Sequence, residues 1–167
     1  MKVYGKAVKY GDNVDTDVIL PGKYLVLTDP NELAQHALEG LDSGFTERAR
    51  NGVIVVAGKN FGCGSSREQA PIALKYAGTR CIIAESFARI FFRNAINIGL
   101  PVIECSGISA AVSTGETLEV SLADGEVRNL TKNQVYHGTK LPPFIMKIME
   151  DGGLIENLRR KLKGERV

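Results

Sequence analysis

The stretch GKNFGCGSSREQAPIALKYA, residues Gly58–Ala77, carries the strongest structural signal in this chain and follows the apolar run VIVVA at Val53–Ala57. That run is short and β-branched, which is typical of a strand covered on both faces. Glycines at positions 58, 62 and 64 let the backbone take positive φ angles and approach a ligand closely. Pro71 lacks an N–H group, which predicts a helix beginning near Ala70. The stretch therefore predicts a strand, a glycine-rich turn and a helix.

The start of this helix predicts an anion site. Two capping boxes are possible, Ser65 with Glu68 and Ser66 with Gln69. A helix N-terminus carries unpaired N–H groups and a positive dipole end, and Arg67 adds a planar fork for a carboxylate or phosphate. The turn lacks the Lys-Ser/Thr ending of a P-loop and the GxGxxG spacing of a dinucleotide fold, so a nucleotide is the weaker expectation. The alternative is a tight turn capped by serine, with Arg67 solvated.

Size and charge indicate an ordinary globular protein. The 167 residues, 44% hydrophobic and 24% charged, suit one domain spanning residues 1–167. Twenty-one basic and nineteen acidic side chains give a net charge of +2, which points to neither a nucleic acid nor a membrane as partner. The N-terminus lacks the apolar core of a signal peptide and no run is long enough to cross a bilayer, so we expect a cytoplasmic protein.

The chain contains three cysteines, Cys63, Cys81 and Cys105. Their odd number and wide spacing match no disulfide framework and no zinc or iron–sulfur motif, so we expect no metal on this chain. Cys81 and Cys105 border apolar strands and are expected to be buried small hydrophobes. Cys63 lies in the glycine loop, where a small loop residue and a reactive thiol both remain open.

Apolar runs elsewhere predict an alternation of strands and helices, which favours parallel strands with right-handed crossovers, followed by a hairpin. The expected strands are Lys2–Lys9, Arg80–Ala84, Pro101–Glu104, Thr117–Leu122 and Glu126–Leu130. The expected helices are Asn31–Leu41 with Asn31 as N-cap, Phe87–Ile98 with Ser86 as N-cap, one opened by Pro142-Pro143, and Leu154–Leu162.

Two segments before the glycine loop are candidates for contacts with a ligand. Asp15 and Asp17 lie one residue apart on a segment expected to be extended, so both can address one site, with surface turn residues as the alternative. Lys23–Pro30 (KYLVLTDP) is an apolar loop, and such a loop is often functional. Its alternative role is to cover the core.

Together these motifs resemble a known family. GKNFGCGSSREQAP followed by ESFARIFFRNAINIGLP, with YGDNVDTDVILPGKYL before and PPFIMKIMEDGGLIENL after, resembles the swivelling small domain of the aconitase superfamily. As a stand-alone chain it resembles the small subunits of 3-isopropylmalate dehydratase. The resemblance covers nearly the whole sequence. It implies an α/β fold of the β/β/α swivelling type, with a mostly parallel sheet flanked by helices and a small β-barrel-like part.

The resemblance also implies a reaction. Such proteins interconvert 2- and 3-hydroxy diacids, which are small dicarboxylates, by removing and re-adding water. By motif, Ser65 matches the catalytic base and Asp17 the aspartate that completes the site. Gly64, Ser66 and Arg67 match the groups that bind a substrate carboxylate.

The apolar loop bears on substrate choice. In related small subunits an arginine follows Tyr-Leu where a further carboxylate is bound, whereas here Val26 and Leu27 follow. An aliphatic wall favours an aliphatic substituent, because it would leave a buried carboxylate unpaired. We therefore expect isomerisation of 2- and 3-isopropylmalate, a step of leucine synthesis. The alternatives are a homoaconitase or citraconate/methylmalate-type small subunit, and a non-enzymatic anion-binding module.

The sequence lacks one feature of the full-length enzymes of this superfamily, which is the cysteine triad that holds a [4Fe–4S] cluster. The resemblance thus implies that a separate large subunit carries the cluster and that this chain is inactive alone. A homo-oligomer of the isolated chain stays open.

Overall fold

A computed structural model describes residues 1–164 and contains one curled sheet with helices against it. Its strands are β1 Lys2–Lys9, β2 Val53–Ala57, β3 Thr79–Ala84, β4 Val102–Glu104, β5 Thr117–Ser121, β6 Glu126–Asn129 and β7 Gln134–His137. Its helices are α1 Thr16–Ile19, α2 Pro30–Ala34, α3 Phe45–Ala49, α4 Gln69–Ala77, α5 Arg89–Asn97, α6 Ile108–Ala111, α7 Pro143–Glu150 and α8 Leu154–Leu162, with a 3-10 turn at Gly22–Tyr24.

The strand order across the sheet is β4-β3-β2-β1-β5-β6-β7. Helices connect β2 to β3 and β3 to β4, and the pairs β1–β2, β2–β3 and β3–β4 are parallel. Short connections join β5, β6 and β7, and the pairs β1–β5, β5–β6 and β6–β7 are antiparallel. The predicted α/β fold is confirmed. The sheet is not mostly parallel as expected, because β5, β6 and β7 continue it from β1 as an antiparallel meander that makes three of the six strand pairs.

The sheet curls until its two edge regions meet. Thr139, just after β7, donates its N–H to the carbonyl of Glu104 at the end of β4, at 2.8 Å. A β-carbon at Gly138 would lie 2.6 Å from Ile103 Cγ2, so the close approach depends on glycine. This half-barrel corresponds to the barrel-like part implied by the resemblance.

Two apolar cores occupy the two faces of the sheet. Val53, Val55 and Ala57 face the core under the helices, whereas Ile54 and Val56 face the inside of the curl. All five residues of β2 are buried, as the uninterrupted apolar run predicts. The glycine loop leaves the carboxyl end of β2, so it starts from a strand that is buried on both faces.

Several helix boundaries differ from the predicted ones. Helix α2 is capped by Asp29, whose carboxylate accepts from the Asn31 N–H at 2.9 Å, and it ends at Ala34. Helix α5 begins at Arg89, because the Ser86 hydroxyl accepts from the Asn60 N–H at 2.8 Å and does not cap the helix. The short strand β7 was missed, since it is mostly exposed and has little apolar alternation.

The prediction for two cysteines is confirmed. Cys81 and Cys105 are buried on the inner side of the curl, and burial raises the pKa of the Cys81 thiol to about 12. Across residues 1–164, no helix has the length and apolar character needed to span a bilayer.

Candidate active site

Hydrogen bonds join the chain around the start of α1 to the glycine loop. The Gly62 N–H donates to the Val14 carbonyl at 2.7 Å, and the Thr16 N–H donates to the Cys63 carbonyl at 2.8 Å. The Thr16 side chain is buried, and its hydroxyl donates to the Ser65 carbonyl at 2.7 Å. Two segments far apart in sequence therefore form one rigid wall.

Glycine is required where this loop meets α5. Gly62 has φ +82°, and a β-carbon there would lie 2.2 Å from Cγ of Phe91. Gly64 also has a left-handed φ of +93°, but a β-carbon there would make only ordinary contacts with Asp15 and Thr16. The first glycine provides close packing and the second provides the turn.

Neither predicted capping box forms at α4. The helix begins at Gln69, close to the predicted start, and its N-cap Glu68 makes no side-chain capping bond. Ser65 and Ser66 precede the helix and are exposed. Within residues 1–164, the backbone N–H groups of Ser65, Ser66 and Arg67 donate to no protein acceptor. Because neither serine caps the helix, these N–H groups remain available to bind a ligand.

Arg67 is fixed rather than solvated. Its side chain is 17% exposed, and its Nη1 donates to Asp17 Oδ1 at 2.8 Å and to the Leu20 carbonyl at 3.1 Å. The alternative of a solvated arginine is wrong. A β-carbon at Gly22 would lie 3.5 Å from Nη2, so the backbone just before the apolar loop lies close beside the guanidinium.

The two aspartates have different partners. Asp17 accepts from Arg67 and, at 3.3 Å, from the Gly22 N–H, and these bonds hold the pKa of its carboxyl below the ordinary value. Asp15 has extended backbone, as predicted, but Asp17 lies within α1, so Asp15 does not address the same site as expected. It caps α1, its carboxylate accepting from the Val18 N–H at 2.8 Å. An aspartate directly before a helical turn satisfies one of the first free N–H groups.

A cavity of about 200 Å³ lies between the glycine loop and the start of α5. Four predicted site residues line it: Gly64, Ser65, Ser66 and Arg67. Arg89 and Asn94 of α5 line it as well, and sequence reasoning did not assign them to the site. Only the topology could have pointed to these two residues. Strands β2 and β3 are parallel, so the loops at their carboxyl ends meet at one edge of the sheet.

The apolar loop Lys23–Pro30 does not line this cavity. Val26 is 83% exposed, and Leu27 is partly buried against the core under the helices. The core-covering alternative thus describes Leu27 and not Val26.

The described residues do not fit a metal cluster. Across residues 1–164, no group of three or more histidine, cysteine, aspartate or glutamate side chains could hold a metal ion. Cys81 and Cys105 lie inside the curl, while Cys63 lies in the loop.

Known proteins place the chain in a family. The model of the aconitase C-terminal domain matches residues 11–107. The small subunit of isopropylmalate/citramalate isomerase from Methanocaldococcus jannaschii is 58% identical over 160 residues, which cover 96% of this chain and 95% of that protein. The 3-isopropylmalate dehydratase small subunit from Caldicellulosiruptor bescii is 55% identical, covering 95% of this chain and 96% of that protein. The chain belongs to the 3-isopropylmalate dehydratase small-subunit family.

Structure agrees with this membership. A crystal structure described as 3-isopropylmalate dehydratase from Methanocaldococcus jannaschii superposes with a TM-score of 0.91 at 45% identity, covering 98% of both chains. The curled sheet and the glycine loop thus belong to a small-subunit fold of the aconitase superfamily.

Proposed function

We propose that this chain is the small subunit of a heteromeric hydro-lyase that interconverts 2-isopropylmalate and 3-isopropylmalate by dehydration and rehydration. The observation that carries the proposal is the exposed Ser65 at the cavity, next to the ordered Arg67–Asp17 pair and the free N–H groups before α4. In a member of this small-subunit family, the arrangement supplies a base and a carboxylate clamp.

Ser65 is the proposed base. Its alkoxide takes the carbon-bound proton and becomes the neutral hydroxyl, while the substrate's hydroxyl group leaves the neighbouring carbon as hydroxide. The organic product is an unsaturated diacid, and the proton held by Ser65 and the hydroxide together account for the water removed. Re-addition with the opposite orientation gives the isomer. A serine alkoxide needs donors already in place, and the open N–H groups and the guanidinium of Arg67 provide them without reorganisation. The Thr16 bond to the Ser65 carbonyl holds the serine in position.

Ser66, Arg67 and Gly64 form the proposed carboxylate subsite. Asp17 and the Leu20 carbonyl already hold one edge of the Arg67 guanidinium, so a substrate carboxylate can bind the remaining donors with little loss of side-chain entropy. Asp17 stays ionised at neutral pH and supports that orientation. Gly64 lets the backbone turn so that Ser65 and Ser66 both face the cavity.

The [4Fe–4S] cluster is proposed to lie on a large subunit, since the described residues of this chain do not fit it. When bound, the cluster supplies the Lewis acid for the departing hydroxyl group. Ser65 and Ser66 are exposed, so a partner surface is needed to exclude water from the reaction. We expect this chain to be inactive alone, and we propose that the active heteromer is cytoplasmic.

Val26 and Leu27 are proposed to contact the substituent of the substrate. Both are aliphatic, which favours isopropylmalate over a substrate with a further carboxylate. Citramalate is a second candidate, because the name of the Methanocaldococcus jannaschii relative includes it. Its methyl group is also apolar and smaller.

An anaerobic dehydratase assay tests this proposal. The full chain is mixed with the cluster-bearing large subunit of the same source, and 2-isopropylmalate, citramalate and homocitrate are offered separately. We expect turnover of isopropylmalate, weaker turnover of citramalate, and none by either subunit alone. Preference for homocitrate would overturn the role of the apolar loop, and turnover of no diacid would favour the anion-binding module.

A further inference from the structure

The apolar loop is tied to the rest of the molecule by an aromatic stack. The Tyr24 ring lies on the His36 imidazole with centroids 3.7 Å apart and planes 8° from parallel. Tyr24 ends the 3-10 turn at Gly22–Tyr24, and His36 follows α2. This is a face-to-face contact between the loop and the segment after it, with the His36 side chain 28% exposed.

Glu39 joins both rings. Its carboxylate lies 3.1 Å from His36 Nδ1. The Tyr24 hydroxyl is the main influence that lowers the pKa of the Glu39 carboxyl; His36 and Lys23 add to this effect and burial opposes it. The Lys23 ammonium stands 5.1 Å from the Tyr24 ring centroid, so the outer face of the stack is cationic. Tyr24, His36 and Glu39 therefore form one closed unit, which we name the loop anchor.

Beyond Gly22, whose N–H donates to Asp17 at 3.3 Å, backbone bonds do not orient the loop in place of this anchor. In the described chain, the N–H groups of Tyr24, Leu25 and Leu27 donate only to carbonyls of Pro21, Gly22 and Tyr24. These bonds curl the segment on itself without fixing it to the sheet. Its direction depends on side chains, and Tyr24 lies two residues before the exposed Val26.

We propose that His36 is a positioning residue for substrate selection. By holding Tyr24 it sets where Val26 and Leu27 present their methyl groups to the substrate. The inference rests on the proposed function, in which this loop contacts the substituent of the diacid. It assigns a role to a histidine that the sequence analysis did not place in the site.

His36→Ala and His36→Phe separate this role from general stability. In the assembled heteromer, we expect His36→Ala to raise the KM for 2-isopropylmalate about three- to tenfold, with kcat changed less than twofold, because only binding of the substituent is affected. His36→Phe keeps the stack and should restore KM to within about twofold. Gln35 precedes His36 and is exposed, so Gln35→Ala is the matched control and should change neither KM nor kcat.

A measurement on the full chain alone tests the anchor without catalysis. Stacking on His36 shifts the ring protons of Tyr24 upfield in the NMR spectrum, and His36→Ala should remove that shift and alter the Val26 methyl resonances. His36→Phe should retain both. Unchanged Val26 resonances in a folded His36→Ala chain, or a kcat loss with no change in KM, would overturn the inference. Absence of turnover in the wild-type heteromer would instead contradict the proposed function. The NMR result would still decide whether His36 holds the loop.

Discussion

The hydroxyl of Thr16 donates a hydrogen bond of 2.7 Å to the backbone carbonyl of Ser65, joining residues 49 positions apart. Thr16 is buried, so the bond fixes an exposed loop to the interior. Thr16→Val keeps the shape of the side chain and removes the bond. We expect kcat of the heteromer to fall roughly tenfold, because small misplacements of a catalytic group reduce rate steeply.

Thr16→Ser is the matched variant for this prediction, since it retains the hydroxyl. It should keep kcat within about threefold, while the free energy of unfolding falls by only about 1 kcal/mol in the valine variant. Equal kcat values for the wild-type and valine proteins, in assembled heteromer, would show that this bond does not position Ser65.

Arg67→Lys should weaken substrate binding strongly. A lysine has no planar fork, so it cannot keep Asp17 and the Leu20 carbonyl as partners and also bind a substrate carboxylate by two bonds. Loss of a charged hydrogen bond corresponds to about 1.5–3 kcal/mol, so we expect KM for 2-isopropylmalate to rise at least tenfold. Steady-state kinetics with confirmed subunit assembly measures this, and an unchanged KM would exclude Arg67 from the carboxylate subsite.

Gly62→Ala should destabilise the chain more than Gly64→Ala. Both positions have positive φ angles, but only at Gly62 would a β-carbon collide with Phe91. We expect losses of about 3 kcal/mol at Gly62 and about 1 kcal/mol at Gly64, from strain plus overpacking in the first case and strain in the second. Urea denaturation measures both, and equal losses would mean that the packing against Phe91 is unimportant.

Asp17 should make stability depend on acid pH. Its folded pKa lies below the ordinary value because Arg67 and the Gly22 N–H bond the carboxylate. Its contribution is therefore complete above the unfolded pKa and is lost as pH falls through the lowered folded pKa. The Tm difference between wild type and Asp17→Asn should be present at pH 7 and shrink toward pH 3. A difference that stays constant over this range would argue against the Arg67–Asp17 pair.

The sequence predicted the strands of the parallel half and of the hairpin well, because uninterrupted apolar runs and turn residues are local signals. It placed the start of α4 within one residue, yet it misassigned the caps. Ser65, Ser66 and Ser86 all suit a cap by residue type, but the first two line the cavity and Ser86 bonds Asn60 instead. Local preference cannot decide between a cap and a tertiary partner.

The candidate site was predicted in the same partial way. The glycine loop and Asp17 were identified by motif, whereas Arg89 and Asn94 join the cavity through the topology of the sheet. Asp15 was misplaced because a four-residue helix gives no periodic signal. The loop anchor was missed because a stack of Tyr24 on His36 leaves no pattern in sequence.

The most direct measurement is turnover of 2-isopropylmalate by the heteromer carrying Ser65→Ala, beside Ser66→Ala, with assembly checked by size-exclusion chromatography. We expect Ser65→Ala to assemble normally and to lose kcat by at least about 10³-fold, while Ser66→Ala, which keeps its backbone N–H, should lose less than about tenfold. An assembled Ser65→Ala enzyme with kcat close to that of the wild type would contradict the claim that this chain supplies the base.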